Sequence, residues 1–278
     1  IHSGFPQLMI THFTQTFVTL GMNGIFRPAA IGVDKLLTLF SEEKGRITAS
    51  VRGSRSLKSR YFSAAQSFCY SRFILCKKND RYYVREAELC ENFFEIREDI
   101  EKTALAGYVA EALLYVTTEE SDPALFRLSL NILYAIAKNR APLPQIKAVF
   151  EVRAAGILGF MPDLHGCCYC GRRDGDFFFD IMNGQIECKE CREKNSGAAP
   201  SVYEEDYRAA HIVCLLNSGA CTAFRYVLSC PPDRLLSFRL DGEEARLFGI
   251  AAETYFLNQI EHGFASLDFY KELIRTNK

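Results

Sequence analysis

Two pairs of cysteines constrain this chain more than any other feature of its sequence. Cys167–Cys170 and Cys188–Cys191 are C-x-x-C pairs separated by 17 residues, inside "CCYCGRRDGDFFFDIMNGQIECKEC" (167–191). A C-x-x-C turn presents two thiolates on one side, so two such turns facing each other supply the corners of a tetrahedron. The spacing predicts a zinc ion held by Cys167, Cys170, Cys188 and Cys191. Gly171 permits the tight backbone after the first pair. Between the pairs, "DFFFDIMNGQIEC" predicts a hairpin with a type I′ turn at Asn183-Gly184, which brings the two knuckles face to face. Cys168 is the spare thiol, because using it in place of Cys167 leaves a poorer C-x-C spacing.

Composition argues against the other uses of such a cluster. With 278 residues, 48% hydrophobic and 24% charged, the chain can bury a substantial core without covalent staples. The cysteine count of eleven is odd, and Cys69, Cys76, Cys90, Cys214, Cys221 and Cys230 sit among apolar neighbours as small hydrophobes do. Residues 1–21 contain no Lys or Arg, so no signal peptide is expected, and Pro6, Gln7, His12 and Gln15 interrupt any membrane span. A reducing compartment follows, read as cytoplasmic, where metal is the better use of clustered thiols. Pairs left without metal and held by packing alone are the bland alternative. A thioredoxin-like redox pair lacks its βαβ context. Catalytic zinc needs an open position that four thiolates close, and the deaminase signature is missing because Glu187, not proline, precedes Cys188. His165, two residues before Cys167, is a weaker ligand candidate. The site is expected to be structural.

The net charge of −1 conceals an asymmetry: residues 22–100 sum to +4 and 101–278 to −5. Residues 44–79 hold nine basic groups (Lys44, Arg46, Arg52, Arg55, Lys58, Arg60, Arg72, Lys77, Lys78) and no acid. "LLTLFSEEKGRITASV" (36–51) reads as strand, turn, strand, and "FCYSRFILCKKNDRYYVREAEL" (68–89) repeats the pattern around "KKND". Several short strands without helical pattern between them predict a small β-barrel or sandwich. Near residue 98 the period changes. "EDIEKTALAGYVAEALLYV" places Ile100, Ala104, Tyr108, Ala112 and Tyr115 on one helical stripe. Asp122 caps a second helix with Pro123 at its first position, and a third closes near Gly159. "SVYEEDYRAAHIVCLLNSG" (201–219), "PDRLLSFRLDGEEARLFGIAAETYFLNQIEHG" and "SLDFYKELI" also read as helical, with Ser266 and Asp268 as candidate caps for the last.

The expected architecture is α+β and multidomain: a β-domain over 22–97, a helical domain over 98–164 and 198–278, and a cysteine module inserted at 165–197. Residues 1–21 are read as an extension or added sequence, with Met22 as a natural start.

No phosphate-binding loop, dinucleotide fingerprint, zinc-protease or nucleophile-elbow motif is present. His2, His12, His165, His211 and His262 form no ligand pattern, and Glu42-Glu43 and Glu119-Glu120 read as solvated turn residues. Nothing requires an enzyme. The segment "KGRITASVRGSRSLKSR" (44–60) sets Arg52, Arg55, Lys58 and Arg60 around Gly53 and three serines, too polar for a core. It reads either as a solvated loop or as a phosphate-tracking surface. The second reading gains from the missing acids and from Tyr61, Phe62, Phe68, Tyr70, Tyr82 and Tyr83, since aromatic rings can stack on unpaired bases. Phe68 and Phe73 are also expected in a barrel core. The candidate DNA-binding set is Arg52, Arg55, Lys58, Arg60, Lys77 and Lys78.

The order "DKLLTLFSEEKGRITASVRGSRSLKSR", "ELCENFFEIREDIEKTALAGYVAEAL", "VFEVRAAGILGFMPDLHGCCYCG…ECKEC", then "FASLDFYKEL", resembles the bacterial recombination protein O (RecO) family over roughly residues 24–275. The resemblance implies an N-terminal OB-fold, a helical domain and a structural zinc module. It implies a non-enzymatic mediator of recombinational DNA repair that binds single- and double-stranded DNA and anneals complementary strands. RecR, the single-strand-binding protein SSB and the recombinase RecA are the partners it implies. "GIFRPAAIGVDK" (24–35) is shorter than the usual family start and lacks its glutamate, so the first strand is expected to be displaced or differently built. The rival reading is a zinc-stapled protein-interaction adaptor that does not touch DNA, and a third is a hydrolase or redox enzyme using the cysteines.

Overall fold

The computed structural model describes residues 11–22, 35–52, 59–196 and 212–276. The chain divides into two compact units, one formed by Ile1–Ala137 with Phe269–Lys278 and the other by Lys138–Asp268.

The first unit is built on a closed five-stranded barrel of order β1-β2-β3-β5-β4: β1 (Thr11–Met22), β2 (Lys35–Ser41), β3 (Gly45–Val51), β4 (Tyr70–Lys78) and β5 (Arg81–Glu91). All pairs are antiparallel except β3 with β5, which run parallel through Ala49↔Tyr82 and Ser50↔Tyr83. This is the OB-fold. Alternation makes the interior: Phe17, Leu37, Leu39, Ile47, Ala49, Val51, Phe73, Leu75 and Val84 are buried in one cluster. Phe68 is buried as well.

β1 corrects the reading of residues 1–21 as an extension over residues 11–21. "THFTQTFVTLGM" holds four Thr, two Phe and a Val, which suit a pleated surface. Its first part pairs with β4 from Thr11↔Lys77 to Val18↔Tyr70, and its last part pairs with β2 from Val18↔Phe40 to Met22↔Leu37. One strand thus closes the barrel, upstream of the segment where the family pattern begins. Residues 1–10 lie outside the described ones, as does most of 24–35.

The β4–β5 turn is the tight one expected, with Asn79 and Asp80 both at positive φ (48° and 57°) as a type I′ hairpin requires. Gly45 opens β3 at φ +59°, where a Cβ would lie 2.0 Å from the Glu120 carbonyl oxygen.

Three helices complete this unit: α1 (Phe94–Arg97), α2 (Ile100–Val116) and α3 (Pro123–Ala137). Asp99 caps α2 by accepting from Glu101 and Lys102 N–H at 2.8 and 3.1 Å, and Asp122 caps α3 by accepting from Leu125 N–H. The expected stripe on α2 is only partly buried: Ala104, Tyr108 and Ala112 are inside, while Ile100 and Tyr115 are 60% and 50% exposed. Leu105, Ala106, Val109 and Leu113 are buried too, so α2 is enclosed on more than one face and a single stripe understates it. The α2–α3 connection docks on the β2–β3 hairpin. Arg46 N–H donates to Thr118 O at 2.8 Å, Ser121 Oγ donates to Glu42 O at 2.6 Å, and Phe126 meets Phe40 edge-on at 5.7 Å.

The second unit contains α4 (Leu143–Ile157), β6 (Phe177–Asp180), β7 (Gln185–Cys188), α5 (Lys189–Ser196), β8 (Val213–Leu216), α6 (Ser218–Ser229) and α7 (Gly242–Gln259). The chain then leaves it through α8 (Ala265–Thr276), whose start precedes Ser266 and Asp268, so neither is a cap. The expected helix over 201–219 is corrected in part. Residues 201–211 lie outside the described ones, and 213–216 form β8, paired antiparallel to β6 through Cys214↔Phe179. Cys214 and Leu216 face inward and Leu215 outward, so four apolar residues serve as a strand edge. The span from 232 holds a short 3-10 turn at Pro232–Arg234 before α7 begins.

Phe179 of the resulting three-stranded sheet packs on Phe224 and Tyr255, and Phe150 packs on Phe256. The "VFEVR" segment is explained by its partners. Arg153 donates to the Val227 and Leu228 carbonyls near the end of α6. Lys147 gives its three protons to Glu151 (2.7 and 2.9 Å) and to Glu253 (2.9 Å) of α7. A buried charge needs such pairing.

Candidate metal centre and nucleic-acid interface

The first knuckle follows from local backbone bonds. Gly171 N–H donates to Cys167 O and Cys167 N–H to Arg172 O, both at 2.8 Å, with Gly171 at φ +73°. Cys168 N–H donates to Ile186 O at 2.8 Å and ties the knuckle to β7. The second knuckle is the β7–α5 junction, where Cys188 ends the strand and Cys191 lies in the first turn of the helix. The hairpin between them forms, but not with the expected turn. Asp180 pairs with Gln185 across four residues; Gly184 has φ +63°, whereas Asn183 is not at positive φ. The Asp180 carboxylate accepts from Met182 and Asn183 N–H at 3.0 and 3.1 Å, an Asx-type turn that replaces the two-residue one.

The sulfurs of Cys167, Cys170, Cys188 and Cys191 all lie within 4.8 Å of one another, and Cys170 and Cys188 are 3.7 Å apart. A tetrahedral ion with thiolates at ~2.3 Å has sulfur–sulfur edges of about 3.8 Å, so the cage has the right size. Burial opposes ionisation of Cys167, yet N–H groups of Cys188, Cys170 and Tyr169 hold its thiol down to about 6. The neighbouring Cys170 sulfur and burial push Cys191 up to about 12. Four such donors can hold a metal ion. Arg172, beside the first knuckle, pairs with Glu190 of the second at 2.6 Å. Cys168 is exposed and outside the cage, as expected of the spare thiol. The His165 side chain is 96% exposed and pairs with Asp163, so it is not a ligand here. No disulfide joins any of the eleven cysteines, all of which are described.

The cationic candidates belong to the other unit. Arg55 and Lys58 lie outside the described residues. Arg52 follows β3 directly and is exposed, as is Arg60. The register Ser50↔Tyr83 carries Arg52 toward Arg85, two residues further along β5. Arg60 reaches the same point: its guanidinium lies 4.7 Å from the Tyr61 ring and donates to the Arg85 carbonyl at 3.1 Å, where Tyr61 OH donates at 2.6 Å. At the other end of this stretch Lys77 pairs with Tyr82 across the ladder and Lys78 with Arg81. Lys77 is partly neutralised by Asp80 at 3.0 Å, which also raises its pKa. Arg60, Lys77 and Lys78 therefore lie along Arg81–Arg85 of β5, a run of about 13 Å, and Arg52 stands just past the end of the strand that pairs with Tyr82 and Tyr83.

That gathering adds Arg81 and Arg85, both exposed, which the charge count missed because Asp80 ended the acid-free window. A bulge between Ile74↔Glu86 and Leu75↔Val84 leaves Arg85 unpaired in the ladder, and its Nε donates to Cys76 Sγ at 3.3 Å. Other members of the basic run are engaged elsewhere: Arg46 donates to Leu114 O and Arg72 pairs with Glu88 at 2.8 Å. The aromatic residues mostly pack. Tyr61 and Tyr82 lie against the barrel core and Tyr70 against Phe126; Phe62 and Tyr83 are half-buried.

Comparison with known proteins decides the family. The chain matches recombination protein O N terminal over residues 33–93 and recombination protein O C terminal over 97–268. The chain belongs to the recombination protein O family. It is 31% identical to DNA repair protein RecO of Acetivibrio thermocellus over 245 residues, 87% of this chain and 91% of that one. It is 28% identical to DNA repair protein RecO of Desulforudis audaxviator over 252 residues, 90% and 94% of the two chains. A shorter match, 34% identical over 164 residues, joins it to the protein of the same name from Listeria monocytogenes, covering 58% of this chain and 64% of that one. Among the described residues no helix is long and apolar enough to cross a membrane.

Proposed function

We propose that this member of the recombination protein O family is a non-catalytic, DNA-binding mediator of recombinational repair, working with RecR and SSB to help load recombinase. The observation that carries the reading is the family match across both halves of the chain. The barrel holds phosphates of single- and double-stranded DNA through Arg52, Arg55, Lys58, Arg60, Lys77 and Lys78, joined by Arg81 and Arg85. Annealing then needs no bond chemistry. Two strands whose charge is neutralised are kept close enough to pair.

Cys167, Cys170, Cys188 and Cys191 would hold a zinc ion, whose coordination would fix the hairpin and α5 to one another, and four thiolates would leave no open position for substrate. Anisotropy of a labelled oligonucleotide tests the reading. If four to six phosphates are neutralised, the log–log salt slope of single-strand affinity is about −3 to −4. No binding in dilute buffer returns the protein to the adaptor reading.

A further inference from the structure

The second unit carries a basic groove that the function above does not use. Lys138, Asn139 and Arg140, in the connection between α3 and α4, form one wall; Leu236, Ser237, Phe238 and Arg239 form the other, around a cavity of about 470 Å³ open to solvent. The walls are set before any ligand arrives. Asn139 turns the first at φ +50°. Gln145, buried in the first turn of α4, fixes the second: its Nε2 donates to Phe238 O at 2.8 Å and its Oε1 accepts from Leu240 N–H at 3.5 Å. The Phe238 ring is held edge-on against Tyr226 and Phe248.

Lys138, Arg140 and Arg239 are exposed, and neither arginine has an ion pair or hydrogen bond among the described residues. Asp233, Asp241, Glu243 and Glu244 are the nearest acids in sequence, and Glu243 is taken by Arg246 at 2.5 Å. Two guanidinium groups without a partner among the described residues, on fixed walls, suit the tetrahedral, multiply charged oxygens of phosphate. The lining offers only Leu236 and Phe238 as apolar surface, too little to anchor the hydrophobic side chains of a peptide.

We propose that this groove is a second phosphate-binding site, which takes the backbone of a nucleic-acid strand passing through it. The choice of a nucleic-acid strand rests on the function proposed above; the anion chemistry of the groove does not. A phosphate site on each of the two units provides what annealing requires, a place for each of two strands.

The test uses the full chain and two double variants, Arg140→Gln/Arg239→Gln in the groove and Arg52→Gln/Arg85→Gln on the barrel, each first checked for unchanged melting. All four positions are exposed, so the fold is expected to survive. The salt slope for a single-stranded oligonucleotide is expected to fall in magnitude by about 1.4 in the groove variant, 0.7 for each phosphate no longer neutralised. A groove variant with the parent slope overturns the proposal, while a changed barrel variant in the same experiment leaves the barrel reading standing. The converse result removes the barrel and keeps the groove. Calorimetry with inorganic phosphate, a mononucleotide and an acidic peptide separates the sources. Saturable binding of any of these that the groove variant abolishes, with its oligonucleotide slope unchanged, identifies a small-anion or peptide site and overturns the strand.

Discussion

At the cysteine centre each sulfur is placed by backbone: two knuckles, a hairpin and a helix start bring four donors within 4.8 Å. Along β5 the cations are placed by the ladder and a few side-chain contacts, and Arg52, Lys78 and Arg81 have no ion pair among the described residues. The difference is one of commitment. A closed cage gains its stability by satisfying every donor, so it has nothing left to offer a partner. An open row of cations gains little in the free protein and keeps its charge for a ligand. The first region is therefore expected to answer to stability measurements and the second to binding measurements.

Removing the metal is the largest expected effect. Structural zinc contributes on the order of 10 kcal/mol to the folding of small modules at neutral pH. Chelation, or Cys188→Ser, is expected to bring down a melting transition belonging to the second unit while the barrel transition stays. Two transitions by differential scanning calorimetry, one of them zinc-dependent, check this. A single transition indifferent to chelator breaks the comparison at its stronger end.

Next comes the buried triad. Lys147→Met leaves Glu151, fully buried, facing Glu253 with no cation between them, at a cost of about 3–5 kcal/mol. Chemical denaturation measures it. The pH dependence has a definite sign. Although burial opposes the charge, Glu151 and Glu253 outweigh it and raise the Lys147 pKa. Its contribution is complete below the unfolded lysine value and is lost only as pH rises above about 10.5. A loss of stability between pH 8 and 6 would have another origin.

Gly45→Ala sharpens the comparison from the barrel side. The added methyl meets the Glu120 carbonyl at 2.0 Å in a left-handed backbone conformation. Left-handed geometry alone costs a side chain about 1–2 kcal/mol, and the collision adds to it by pushing the α2–α3 connection off the hairpin. Denaturant unfolding is expected to show that loss without a change in metal content.

What the sequence made legible tracks how local each feature is. The cage was readable because C-x-x-C geometry is set within four residues, and the hairpin because its ends must return. Its turn was misread because the Asp180 side chain, not the Asn183-Gly184 dipeptide, organises the backbone. β1 lies upstream of the segment where the family pattern begins, so the resemblance does not point to it. β8 cannot be told from helix in the sequence because four apolar residues have no readable period. Lys147 and Glu151 are visible as an i,i+4 pair, but Glu253, 106 residues away from Lys147, is not. Arg81 and Arg85 were hidden by a window drawn on charge, whereas the parallel β3–β5 register that recruits them exists only in the folded barrel.

The smallest effect on stability belongs to Arg52→Gln. An exposed cation just past a strand end, without a carboxylate partner among the described residues, is expected to change unfolding free energy by no more than about 0.5 kcal/mol. Its removal should still flatten the salt slope for a single-stranded oligonucleotide by about 0.7, the value of one neutralised phosphate. Arg60→Gln is the informative contrast. Its guanidinium is already spent on Tyr61 and on the Arg85 carbonyl, so its removal frees that end of β5 and should cost some stability for a smaller change in slope. If the two variants behave alike, the row of cations is not ordered by prior engagement, and proximity to β5 alone decides which of them meets a phosphate.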